Sequence, residues 1–101
     1  MDRLWTWGGE SFGYRHNDRL STYVGLQAGQ FHANEVYGRD GRYLGEIMSK
    51  NRLITNLGRK SWVKSSFAPV IRGSYARYLN YVAYVMYLGY EEFPPPDQFR
   101  R

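Results

Sequence analysis

The chain has 101 residues, 43% hydrophobic and 18% aromatic, with a net charge of +5 and no cysteine. That length makes one small domain with much surface for its core. The missing cysteines exclude disulfides and thiolate zinc sites, and they favour a reducing, cytoplasmic setting. The opening Met-Asp-Arg-Leu-Trp-Thr-Trp has no basic region ahead of an apolar run, which argues against a signal peptide. The most apolar stretch, residues 81–90, is shorter than the roughly 20 residues of a membrane span, so no membrane partner is expected.

From Leu4 the sequence repeats. The units are residues 4–19, 20–35, 36–52 and 53–64, opened by Leu4, Leu20, Val36 and Leu53. Gly9, Gly25, Gly41 and Gly58 follow five residues later in each. Gly13, Gly29 and Gly45 follow four further on, where the fourth unit has Trp62. Gly8-Gly9 and Asp40-Gly41 are dipeptides of tight hairpin turns, because glycine reaches positive φ without a Cβ clash. Trp5, Trp7, Thr22, Tyr23, Tyr43, Ile54 and Thr55 on the flanks are strand formers. Each unit therefore reads as a β-hairpin. The second glycine falls in mid-strand, which marks close backbone approach and predicts that neighbouring hairpins press together there. An isolated hairpin is marginal in water, so four must pack. The expected fold is mainly β: four hairpin petals around a common axis across residues 3–64. A meandering sheet or small barrel is the alternative.

The pattern resembles the four-fold β-flower family of small bacterial domains. Leu-Trp-Thr-Trp-Gly-Gly, Arg-Asp-Gly-Arg-Tyr-Leu-Gly-Glu-Ile (residues 39–47) and Arg-Leu-Ile-Thr-Asn-Leu (residues 52–57) carry the likeness, which spans residues 3–64. It implies a fold and no activity. Carriage on bacterial mobile elements is a further expectation from the resemblance.

Residues 65–73 read as a linker. Beyond it, Tyr75, Tyr78, Tyr81, Tyr84, Tyr87 and Tyr90 recur at every third position. With Ser74 as N-cap and Gly89 as stop, residues 74–90 are expected to form a Tyr-rich helix, with a buried strand over residues 81–87 as the alternative. Such a helix is apolar on all sides between 78 and 88, more than four hairpins enclose, so part of it is expected to meet a second subunit. Tyr78, Tyr81, Val82, Val85, Met86 and Leu88 are the candidate interface. Pro94-Pro95-Pro96 ends regular structure, residues 91–101 form a Pro-rich tail, and Arg100-Arg101 is read as frayed.

The charge is uneven: residues 47–90 hold seven basic side chains and no acid. Lys50, Arg52, Arg59, Lys60, Lys64, Arg72 and Arg77, interleaved with aromatics, make a candidate nucleic-acid surface. His16 and His32 occupy equivalent repeat positions and are read as rim residues rather than metal ligands. Glu10, Asp18, Glu35, Asp40 and Glu46 are scattered, and no nucleotide or acyl-transfer motif appears. No cofactor, metal or catalytic residue is assigned. The functional expectation is a non-catalytic protein-interaction or oligomeric scaffold module, with nucleic-acid binding through residues 50–77 as the alternative and a small enzyme third.

Overall fold

A computed structural model of the chain describes residues 2–99. Arg100 and Arg101, expected as a frayed tail, lie outside the described residues.

The protein is mainly β. Its strands are β1 (Asp2–Thr6), β2 (Ser11–His16), β3 (Arg19–Thr22), β4 (Gln27–His32), β5 (Glu35–Tyr37), β6 (Tyr43–Met48), β7 (Arg52–Asn56) and β8 (Tyr90–Glu92). Consecutive strands pair antiparallel in sequence order. A parallel contact of β1 with β7, Trp5 opposite Arg52 and Thr6 opposite Leu53, closes the first seven into a barrel. The expected petals around an axis do not form. Each hairpin shares hydrogen bonds with its neighbours, which satisfies backbone groups that separate petals would leave as exposed edges.

The repeat governs the detail of the barrel. Pairing is interrupted by a bulge after Leu4, after Leu20 and after Val36, the opening residue of each of the first three units. These three and Leu53 are buried with Phe12, Ala28 and Phe31 in the barrel interior. The mid-strand glycines sit where neighbouring strands crowd. A Cβ on Gly13 would strike the Ser21 carbonyl, and one on Gly29 would lie 2.6 Å from Val36 Cγ1. At Gly45 it would lie 2.5 Å from both the Ile54 carbonyl oxygen and the Phe93 ring. The expected close approach of adjacent hairpins is therefore present.

The fourth unit departs from the pattern. Residues 60–64 do not return beside β7. Its antiparallel partner is β8, with Ile54 opposite Glu92 and Asn56 opposite Tyr90. The intervening residues 57–89 begin with a 3-10 turn, Leu57–Arg59, and then run as extended chain around the outside of one end of the barrel. We call residues 60–89 the belt. After β8 the chain turns inward. Phe93 is fully buried against Phe12, with ring centroids 5.4 Å apart, and Phe99 stacks behind it.

The expected helix over residues 74–90 is absent, and so is the alternative strand over 81–87. A step of three residues is the period of an extended, polyproline-like chain, in which every third side chain shares a face and no internal hydrogen bond is made. Lacking internal bonds, the belt donates its amides to the barrel. Ser74, the expected helix cap, instead lies against Val24. Gly89, the expected helix stop, adopts φ 86° at the entry to β8.

Candidate interaction surface: the tyrosine belt

The belt is seated by the hairpin turns. Its amides at Lys64, Arg72 and Tyr81 donate to the carbonyls of Gly41, Gly25 and Gly9, each at 2.8 Å. It thus visits the three tight turns in reverse chain order, and the Leu57 amide then closes onto Gly89 at 3.0 Å. The three glycines share φ of 86–93°, which favours glycine. A methyl group on any of them would also penetrate the belt backbone, at the carbonyl of Lys64 for Gly41, of Arg72 for Gly25 and of Tyr81 for Gly9. One residue type therefore meets two requirements, the turn and the close seating of the belt.

Below the turns, the tyrosines lie on an aromatic layer on the outer face of the barrel. Trp5 stacks on Tyr81 with centroids 3.8 Å apart and planes within 10°. Trp7 meets Tyr84 edge-on at 4.9 Å and Tyr87 at 5.3 Å. Tyr14 packs on Tyr75, and the Arg3 guanidinium lies 3.9 Å over the Tyr78 ring. The polar tips of this layer bond to belt carbonyls: Trp5 Nε1 to Leu79, Trp7 Nε1 to Val85, and the Tyr14 hydroxyl to Ala76. Buried indoles and phenols need such acceptors, and an extended chain offers its carbonyls freely.

Arg52 completes this layer. It is 2% exposed, its Nη1 donates to the Thr6 and Trp7 carbonyls, and its guanidinium lies 4.0 Å over the Tyr84 ring. Carbonyl dipoles and the faces of Tyr84 and Tyr81 compensate its charge, with no carboxylate paired to it among the described residues.

A polar cluster fastens the start of the belt. Arg59 Nη1 meets Glu46 at 2.8 Å and Glu35 at 3.4 Å. The Tyr43 hydroxyl donates to Glu46 and the Tyr37 hydroxyl to Glu35, both at 2.7 Å. Burial, followed by the hydrogen bond to Glu35, pushes the Tyr37 phenol up to about 12. Burial and the Glu46 bond push Tyr43 upward as well. Trp62, which replaces the fourth repeat glycine, covers Arg59 at 4.9 Å. Glu35 and Glu46, unremarkable in sequence, face each other across β5 and β6, and the guanidinium occupies the space between them.

The seven cations of residues 50–77 are not gathered into one face. Arg52 is buried, Arg59 is held by the two glutamates, Lys60 pairs with Glu91 at 3.0 Å, and Arg77 with Glu10 at 3.7 Å. Lys64 lies 5.8 Å from the Tyr37 ring. Lys50 stands at the opposite end of the barrel, beside an open basin of about 720 Å³ shared with Asp2, Arg3 and Arg15. Arg72 is exposed on the belt.

The candidate interface residues divide into two faces. Tyr78 and Tyr81 turn inward onto Arg3 and Trp5. Val82, Val85 and Leu88 turn outward, joined by Leu79, and these four are 74–102% exposed. Met86 is half-exposed beside them. Leu79 follows from the same three-residue count once the chain is read as extended. The result is a row of exposed apolar side chains, three residues apart, along the last part of the belt. No helix among the described residues is long and apolar enough to cross a membrane.

Neither family models, nor curated proteins, nor solved structures match this chain.

Proposed function

We propose that the protein is a non-catalytic interaction module and that the outward ridge of its belt is the contact surface. The observation that carries this reading is the ridge itself: Leu79, Val82, Val85 and Leu88 in line and almost fully exposed. Small folded proteins rarely leave large apolar side chains contiguous in water, and such patches mark binding sites. Residues 78–90 contain no charged side chain, the composition of an interface centre, and tyrosine and methionine are enriched there. The barrel then serves as the frame on which the belt is seated. Nucleic-acid binding through residues 50–77 has weaker support, because four of those seven cations are buried or ion-paired.

Site-specific photo-crosslinking tests the reading. Benzoylphenylalanine at position 82 of the full chain, in the producing cell, should give protein adducts. The same group at position 50, at the opposite end of the barrel, should not. No adduct from position 82, or equal adducts from both, would overturn it.

A further inference from the structure

Resting on that reading, we propose that the ridge is covered by a second copy of this chain, with the two belts paired antiparallel about a two-fold axis. The ridge reads Leu79, Val82, Val85, Leu88, the same in either direction, with its midpoint between Ala83 and Tyr84. In an antiparallel pair centred there, Leu79 meets Leu88 of the second copy and Val82 meets Val85. A two-fold interface requires a surface to be complementary to itself, and a palindromic ridge meets that condition. A different partner places no such demand on the order of residues.

Four further observations agree. The ridge spans nine residue steps, about 28 Å at polyproline-like rise, close to the 32 Å and 36 Å long dimensions of the protein. Four side chains at 74–102% exposure, with the rims of Tyr78, Tyr81, Tyr84, Tyr87 and Met86, form the apolar centre of an interface. The flanking barrel surface extends it toward the roughly 800 Å² per partner of a standard complex. Among the described residues, the amides of Leu79, Val82, Val85 and Leu88 have no hydrogen-bond acceptor, so an extended chain laid beside the belt finds free backbone donors. The absence of charge over residues 78–90 keeps like charges of the two copies from being directly apposed at the contact.

Light scattering on the purified full chain across the micromolar range tests this. The wild type should be a dimer. Val82→Glu with Val85→Glu puts like charges opposite each other twice and should weaken the dimer at least about 100-fold. Val82→Glu with Val85→Lys makes two opposite-charge pairs in the antiparallel register and should restore it. Both side chains are exposed, and circular dichroism should show both variants folded. A monomeric wild type, an undisturbed Glu/Glu variant, or a Glu/Lys variant as weak as Glu/Glu would each overturn the pairing. If the wild type is monomeric but position 82 still crosslinks to a different protein, self-pairing fails and the interaction module stands. If position 82 gives no adduct at all, both fail.

Discussion

Alanine substitutions at three glycines separate the two demands that the belt places on the turns. Gly25 has φ 93°, and its Cβ would enter the Arg72 carbonyl and come within 2.8 Å of the Gly73 carbonyl oxygen. Gly89 has φ 86° with nothing within 4 Å, and Gly73 has neither constraint. Gly89→Ala should therefore cost only backbone strain, about 1–3 kcal/mol. Gly25→Ala carries that same strain. It also displaces the belt, losing the Arg72-to-Gly25 bond at 2.8 Å and disturbing the Tyr75-to-Tyr23 bond three residues on. At about 1 kcal/mol per bond, its total is roughly 3–5 kcal/mol. Gly73→Ala should be neutral or stabilising by up to about 1 kcal/mol, because it reduces the freedom of the unfolded chain. Equilibrium urea denaturation followed by tryptophan fluorescence reads all three, since Trp5 and Trp7 lie beneath the belt. Equal losses for Gly25→Ala and Gly89→Ala would refute the view that the belt backbone is seated on the turn.

Trp5→Phe keeps a ring against Tyr81 but loses the bond to the Leu79 carbonyl, and should cost about 1–2 kcal/mol, against about 3–5 kcal/mol for Trp5→Ala, both by chemical denaturation. Arg52→Lys should destabilise by about 2 kcal/mol or more in the same assay, because an ammonium group cannot bond both carbonyls while lying flat on Tyr84. Phe93→Ala should cost about 3–5 kcal/mol by thermal unfolding, since the ring fills the barrel interior. Tyr37 is raised to about 12 in the fold, so its contribution is fully present below the usual tyrosine value of 10.0 and is lost as pH rises from there to about 12. Denaturation at successive pH values should show Tyr37→Phe losing less stability than the wild type across that window.

Much of the barrel was legible because its signals are local. The openers Leu4, Leu20, Val36 and Leu53 lie in the core, and Gly13, Gly29 and Gly45 sit where neighbouring strands crowd. The closure of β1 onto β7 was not legible, since nothing near Trp5 or Arg52 announces a partner some 47 residues away. The tyrosine period is visible in the sequence, but the period alone does not distinguish a helix from an extended chain. A step of three fits an extended chain, and the partners that make this chain extended, Trp5 and Trp7, lie 74 and 78 residues away from the carbonyls they bond. Arg52 is indistinguishable in sequence from the surface cations, because composition carries no trace of the carbonyls and rings that enclose it. Val82, Val85 and Leu88 stand out as apolar positions in the sequence and are exposed, whereas the outward Leu79 and the inward turn of Tyr81 follow only from the belt itself.

The belt crosses only one end of the barrel. The turns at the other end, Asn17-Asp18, Ala33-Asn34 and Ser49–Asn51, receive no hydrogen bond from residues 60–89. They already use positive φ at Asn17, Ala33, Ser49 and Lys50, as short surface turns do. The molecule is therefore polar in its tolerance of insertion. Peptides or whole domains spliced between Ala33 and Asn34 would be displayed away from the ridge. The same splice at Gly25 or Gly41 would lift the belt from its seat.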